Sequence, residues 1–395
     1  MRKNGNQLWI AGGAFAALLA ALYVAQHPMD FRVYYFGAWG VFDGTRPVYG
    51  RASGLGWPMH YRYPPLFLLL FAPWTLLPLA WGAALWVLLK ILALVTVVRA
   101  ILKAQPATVN FNLHSFAIPV LFVTPYLIEE LRYGNVQFFV FALTAMALLQ
   151  AKERPALAAA SLALGISIKV WPLFFVPYMA VRRYWRAAGY TMGFLCVLAM
   201  LPGFYFGFGG NFGLLGQWFS QETETQLSDV EIWFPSQSLR GVLMRYLTVI
   251  DYSQVPDSNY PKANIFAFDG SIVRALWFVM ATAAYSFFLL LVERRRNISE
   301  PLQAGLGFCL IALLEPFTQK YVLAILLWPV IVVAKLGPKA PYRTLLYLAT
   351  ILVLIQPVTP GAEAQRFLQV LGLDFAAAAL LTIVIAATCF KSIET

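Results

Sequence analysis

Charge is scarce in this chain. Of its 395 residues, 12% are Asp, Glu, Lys or Arg, about half of the roughly 25% that a soluble domain carries. With 60% of the residues hydrophobic, a soluble enzyme, a nucleic-acid binder and a disordered scaffold are all excluded as first readings. Cysteine and histidine are as thin, three of each. Cys196, Cys309 and Cys389 lie inside apolar runs without C-x-x-C spacing and read as small core hydrophobes. His27, His60 and His114 share no helix face, so they make no metal constellation. The sequence also lacks a D-x-D pair, and neither a metal nor another cofactor is expected. It lacks alternating polar and apolar strands as well, which disfavours a transmembrane barrel.

What it has is a succession of continuous apolar runs, at about 8–24, 65–77, 79–102, 114–128, 135–150, 156–181, 187–206, 272–292, 302–314, 321–334, 344–358 and 373–390. The fold class they predict is an all-α polytopic membrane protein, about 12 transmembrane helices forming one integral-membrane domain over 1–395. Several runs are shorter than the ~20 residues of a full span, which is tolerated where a helix lines a cavity or is buried in protein. Arg2 and Lys3 precede the first run, and Ala25-Gln26-His27-Pro28 is a poor cleavage site, so the run reads as an uncleaved first helix rather than a signal peptide.

The net charge of 29 − 18 = +11 reflects cytoplasmic loops by the positive-inside rule rather than nucleic-acid binding. Arg182, Arg183 and Arg186, then Arg294–Arg296, then Lys335, Lys339 and Arg343 mark the inside. Parity then puts a first loop, 26–62, and a second, 207–271, outside, with both chain ends in the cytoplasm. The second loop carries seven acids and three bases, as suits that side. The run 156–181 is either one span or a hairpin turning near Lys169. Lys152 and Arg154 favour the hairpin, in which case 114–131 would not cross fully.

The ionisable residues gather in the first loop. Asp30 follows the first helix, where a carboxylate is either merely hydrated or placed to accept a proton from an acceptor hydroxyl. Arg32, Arg46, Arg51, His60 and Arg62 share that loop. Outer arginines run against the positive-inside rule, and an anionic group such as a lipid phosphate explains them, as does pairing with Asp43 or with lipid headgroups. Trp57, Tyr61, Tyr63, Trp218 and Trp233 suit sugar stacking, although an interfacial belt is their default meaning.

These residues carry a resemblance. Asp30-Phe31-Arg32-Val33-Tyr34-Tyr35 with Gly44-Thr45-Arg46-Pro47-Val48-Tyr49 resembles the D-F-x-V-Y-Y … G-x-x-P-Y opening of glycosyltransferase family 87. That family comprises polyprenol-phosphate-mannose-dependent mannosyltransferases of the GT-C superfamily. Tyr63-Pro64-Pro65-Leu66-Phe67, with Ala72-Pro73 and Leu77-Pro78, resembles its next helix pair. Arg132-Tyr133-Gly134-Asn135-Val136-Gln137 is similar to its R-x-G-Q-x-N segment with Asn and Gln exchanged. Gly165–Pro172 resembles G-x-x-x-x-K-x-x-P, and Ser236-Gln237-Ser238-Leu239-Arg240-Gly241 with Arg245 resembles N-Q-S-L-x-G … R, with Ser236 in the usual place of Asn. Together these cover about residues 10–335.

The resemblance implies a GT-C fold with a large first outer loop, in the inner (plasma) membrane, with its active site on the periplasmic or extracellular side. It implies a polyprenyl-phosphate sugar as donor, a lipid or glycan as acceptor, and inverting displacement at the anomeric carbon. Asp30 is then the general base. Arg32, Arg62, Lys169, Arg245 and Lys320 are candidates for the departing phosphate, where cations offset developing charge. Tyr34, Tyr35, His60, Tyr63, Gln237, Ser238 and Glu315 are candidates for substrate contact. The chain departs from the family late: Glu315-Pro316-Phe317-Thr318-Gln319-Lys320-Tyr321 stands where a P-x-S-W-x-H-H-like segment is common. There Lys320 either serves a phosphate or pairs with Glu315. A polytopic transporter or flippase of a lipid-linked substrate is the alternative; it predicts inverted repeats and ionisable residues near mid-membrane, but no such repeat is seen and the charges gather at the outer end instead.

Overall fold

The computed structural model describes residues 2–44, 47–50, 60–104, 113–227, 236–250, 260–336 and 342–391. Among them there are helices and no strands. In chain order they are α1 (Arg2–Gln26), α2 (Met29–Phe42), α3 (Pro65–Phe71), α4 (Leu79–Ala104), α5 (Leu113–Tyr133) and α6 (Gln137–Gln150). Then come α7 (Pro155–Ile168), α8 (Phe175–Val181), α9 (Trp185–Met200), α10 (Gly203–Phe206), α11 (Phe208–Leu227) and α12 (Leu239–Leu247). The series closes with α13 (Gly270–Arg294), α14 (Glu300–Leu314), α15 (Leu327–Leu336), α16 (Tyr342–Val358), α17 (Ala362–Leu371) and α18 (Leu373–Lys391).

Four stretches among the described residues are long and apolar enough to cross a membrane: Leu79–Ala104, Trp185–Phe206, Gly270–Arg294 and Leu373–Phe390. The other apolar helices are shorter, 10–17 residues. Prolines do much of the shortening. Pro172 has no N–H for the carbonyl of Ile168, so α7 ends and Lys169 takes an extended backbone, φ −138° and ψ 135°. A residue before proline is pushed out of the helical region, and Glu315, preceding Pro316, leaves α14 at φ −52° and ψ 138°. Both breaks carry a side chain of the site described below.

The sequence reading needs correcting where it assigned loops. The first outer loop opens as α2, a 14-residue helix, because Pro28 breaks α1 and only apolar and aromatic residues surround Asp30 and Arg32. The second contains the 20-residue α11 and the 9-residue α12; Ser238 caps α12 by accepting the N–H of Gly241 at 3.0 Å. The break near Lys169 is present, and α5 runs for 21 residues, about 31 Å at 1.5 Å per residue. Cys309 and Cys389 are buried, but Cys196 is exposed on α9. Arg46, Arg51, Trp57 and Trp233 lie outside the described residues.

The core is continuous. α7 packs between α6 and α9, and α4 packs on α1 and α6. α14 packs on α15 and α18, and α18 on α16. Phe122, Tyr126, Phe141, Phe175, Phe308 and Trp328 are fully enclosed. The long helices turn large apolar side chains outward instead, Trp81 and Leu92 on α4 and Phe278, Val279 and Phe287 on α13, as helices facing lipid do.

The bundle has two chemically different ends. α14 runs from Glu300 at one to Glu315 at the other, 15 residues apart, about 22 Å. Around Glu300, Arg182 forms an ion pair at 2.8 Å and also donates to the carbonyl of Arg296 at 2.9 Å. Glu293 meets Arg183 and Arg296 nearby. Around Glu315 lies a cavity.

Candidate active site

Asp30 sits in the first turn of α2, where the positive end of the helix dipole favours a carboxylate. Its Oδ2 accepts a 2.6 Å hydrogen bond from Nδ2 of Asn135. Asn135 Oδ1 in turn accepts from Lys169 Nζ at 3.2 Å and from the Gln137 backbone N–H at 2.9 Å. The amide can turn only its Nδ2–H toward Asp30, because its oxygen is held by two donors. Lys169 also donates to Gln137 Oε1 at 3.0 Å and lies 5.4 Å from the ring centre of Tyr321 and 5.9 Å from that of Tyr63, within cation–π reach. Three chain segments, at the start of α2, between α5 and α6, and after α7, are thus tied together through one asparagine.

The turn that delivers Asn135 is specified locally. Gly134 has φ +66°, and a Cβ there would stand 3.3 Å from the Cβ of Phe31, so this turn needs glycine for its backbone and for its space. Its carbonyl accepts from Trp86 Nε1 at 2.9 Å. Behind the turn, Glu130 is enclosed. One carboxylate oxygen accepts the Phe138 N–H at 3.0 Å and the other meets Lys90 Nζ at 2.8 Å. Lys90 also donates to the Glu130 carbonyl at 3.1 Å. This pair, 0% and 1% exposed, locks the end of α5 and the start of α6 onto α4.

Asp30 opens into a cavity of about 700 Å³, lined also by Tyr34, His60, Arg62, Tyr63, Asn135, Lys169, Trp218, Glu222, Glu315 and Tyr321. The size is that of a small-molecule site. Tyr34 and Tyr63 share a 2.8 Å hydroxyl contact, and the Tyr34 hydroxyl accepts the Val136 N–H at 3.2 Å. Burial pushes the Asp30 carboxyl up to about 6, against the hydrogen bond from Asn135 and the charge of Lys169, which lower it. Burial likewise pushes Glu315 up to about 7, again opposed by Lys169. Oε2 of Glu315 is buried without a hydrogen-bond partner. Arg62 faces the same space and is clasped by Glu222 on α11 through two 3.0 Å bonds. Among the described residues no cluster of His, Cys, Asp and Glu could hold a metal ion.

A family model described as "Glycosyltransferase family 87" matches residues 61–316. The chain belongs to glycosyltransferase family 87. The match takes in Arg62, Asn135, Lys169, Glu222 and Glu315 and begins after Asp30. A family relative from Mycobacterium tuberculosis is named as a polyprenol-phosphate-mannose-dependent alpha-(1-2)-phosphatidylinositol mannoside mannosyltransferase. It is 27% identical over 214 residues, which are 49% of this chain and 49% of that protein. The chain therefore spans about half the length of the curated relative it matches. No solved structure matches.

Of the residues that the resemblance to the family singled out, Asp30, Tyr34, His60, Arg62, Tyr63, Lys169 and Glu315 line the cavity. Six others do not. Arg245 is buried and spends its guanidinium on the carbonyls of Val370 and Ser236. Gln237 donates to the Gln369 carbonyl at 2.9 Å, and Ser238 caps α12 and donates to the Pro316 carbonyl at 3.2 Å. The Gln237 N–H bonds the Thr318 carbonyl at 2.6 Å. This family motif therefore acts on the backbone that carries Glu315, not on the cavity. Lys320 pairs with Asp374 at 3.6 Å rather than with Glu315. Tyr35 donates to the Leu77 carbonyl at 2.8 Å, and the Arg32 guanidinium lies 5.7 Å from the ring centre of Phe36. Sequence reasoning missed Asn135 and Glu222 as site residues. The first stood inside a quoted family motif; the second carried no signal beyond being one acid among seven.

Proposed function

We propose that the chain is a multi-pass glycosyltransferase that moves a sugar from a polyprenyl phosphate to a hydroxyl of a lipid or glycan acceptor, with inversion. Mannose is the sugar named for its relative. The observation that carries this reading is the Asp30–Asn135–Lys169 chain at the wall of a cavity that also holds Arg62. In the reaction the acceptor oxygen bonds to the anomeric carbon as the bond from that carbon to the phosphate oxygen breaks. The acceptor proton goes to Asp30, and the phosphate leaves with its prenyl chain. Arg62 and Lys169 offset its charge, and Tyr34, Tyr63, His60 and Glu315 contact the sugars. The proposed step invokes no metal.

The Arg182, Arg183 and Arg294–Arg296 cluster lies at the far end of α14 from the cavity. By the positive-inside rule that end is cytoplasmic and the cavity belongs to the periplasmic or extracellular face, within about twelve crossings of a GT-C bundle. The test is reconstituted protein supplied with labelled mannosyl polyprenyl phosphate and envelope lipid extract. Label should move to the acceptor fraction and free polyprenyl phosphate should appear. Label that crosses the bilayer while still on its prenyl carrier would make the protein a flippase instead.

A base that works ionised also sets a pH profile. With the Asp30 carboxyl at about 6, kcat/KM should rise with pH through that value and fall below it as the carboxylate takes up its proton. Asn135→Leu removes the hydrogen bond that holds the value down. The acid limb should therefore move to higher pH, leaving activity lowest relative to wild type in mild acid. An unmoved limb would show that another group controls it.

A further inference from the structure

The part-exposed edge of the cavity holds an ion pair, Arg62 with Glu222, that the transfer reaction does not use. There α11 contributes Trp218, Phe219, Glu222 and Thr223 to the lining and is held to Gly50, Tyr61 and Arg62 by four residue pairs. Glu222 clasps Arg62 through both carboxylate oxygens, each at 3.0 Å. Trp218 Nε1 donates to the Arg62 carbonyl at 3.2 Å, Gln221 Nε2 donates to the Tyr61 carbonyl at 2.8 Å, and the Gly50 N–H donates to Gln221 Oε1 at 2.9 Å. Three phenylalanines of α11 are turned outward: Phe208, Phe212 and Phe219 are 50%, 57% and 67% exposed. Phe219 also lines the cavity, so one side chain belongs both to the exposed surface and to the site.

A planar guanidinium that takes a carboxylate through two parallel bonds takes a phosphate in the same way. We propose that Glu222 is a resident competitor for the donor's phosphate: it holds the phosphate-binding fork of Arg62, and a prenyl phosphate entering beside Phe219 displaces it. This rests on the glycosyltransferase reading and deepens it, by assigning to one acidic residue outside the recognised motifs the setting of donor affinity. The exchange makes and breaks no covalent bond. One anion replaces another on Arg62, and the Glu222 carboxylate passes to water at that edge. α11 keeps its other ties, through Trp218 and Gln221, so the helix need not detach for the phosphate to enter.

The experiment uses the full chain in detergent micelles, with labelled polyprenyl phosphate for binding and the mannosyl form for transfer. Glu222→Gln keeps the size and removes the competing charge. For a part-exposed pair, the donor KM and the Kd for polyprenyl phosphate should both fall about twofold to fivefold. Arg62→Gln should raise both, and in that background Glu222→Gln should have no further effect, because its target is gone. Glu222→Asp, which keeps the charge on a shorter stem, should fall between wild type and Glu222→Gln. Unchanged or weaker binding in Glu222→Gln, or a gain that persists without Arg62, would overturn the proposal. Failure of wild-type transfer with normal polyprenyl phosphate binding would instead strike the glycosyltransferase reading.

Discussion

Asp30→Asn should lower transfer by about a hundredfold to ten-thousandfold, the range that general-base catalysis contributes. The substitution isolates the proton-accepting function. The new amide oxygen can still accept the Asn135 Nδ2–H that Asp30 accepts at 2.6 Å, so the chain through Asn135 to Lys169 survives. Its polyprenyl phosphate binding should stay within a fewfold of wild type while kcat collapses, a split that misfolding does not produce. Glu315 is a second buried carboxyl facing the cavity, pushed up to about 7 by burial. If Asp30→Asn kept full turnover and Glu315→Gln lost it, the base would be Glu315 and the site would run in the opposite sense.

The largest expected loss of stability is Lys90→Met. Lys90 and Glu130 meet at 2.8 Å with both side chains essentially out of reach of solvent. Removing one partner of such a pair leaves the other as an uncompensated buried charge, at about 3–5 kcal/mol. Glu130 would keep only the Phe138 N–H. Thermal unfolding of the purified protein in detergent should show a large drop in Tm for Lys90→Met. Combining it with Glu130→Gln should recover much of the loss, since no lone charge remains. A single variant as stable as wild type would mean that the carboxylate is not charged in this packing. The same substitution should depress activity at temperatures where the protein is still folded, because Glu130 anchors the turn that presents Asn135.

The helical, lipid-facing character of the chain was legible in its apolar runs, and most run boundaries agree with helix ends within a few residues. The run at 272–292 became α13 and that at 302–314 became α14. What the runs concealed was length: prolines at 172 and 316 stop helices before they reach a full span, and hydropathy does not weigh the carbonyl that a proline leaves unserved. Polar stretches were read as loops because polarity alone does not separate a loop from a helix with one wet face, as α11 shows. Within the site, residues identified by motif divided in two. Side chains at helix breaks, Lys169 and Glu315, reach the cavity. Those in Gln237-Ser238 and Arg245 hold backbone carbonyls, a role that the same polar residue types fill equally well. A motif marks which residues matter to a local geometry without saying whether they face a ligand or a neighbouring strand of chain.

Phe31, next to Asp30, is fully enclosed, with ring centres of Phe71, Trp86 and Trp74 at 5.2, 5.8 and 6.2 Å. Asp30 is thereby mounted on an enclosed aromatic block, whereas the facing wall is fastened by a handful of hydrogen bonds. In the proposed reaction such an asymmetry would set an immobile anvil against a yielding wall. Its turnover would then be paced by traffic of long greasy substrates through the soft side, and engineering for speed belongs there rather than at the carboxylate.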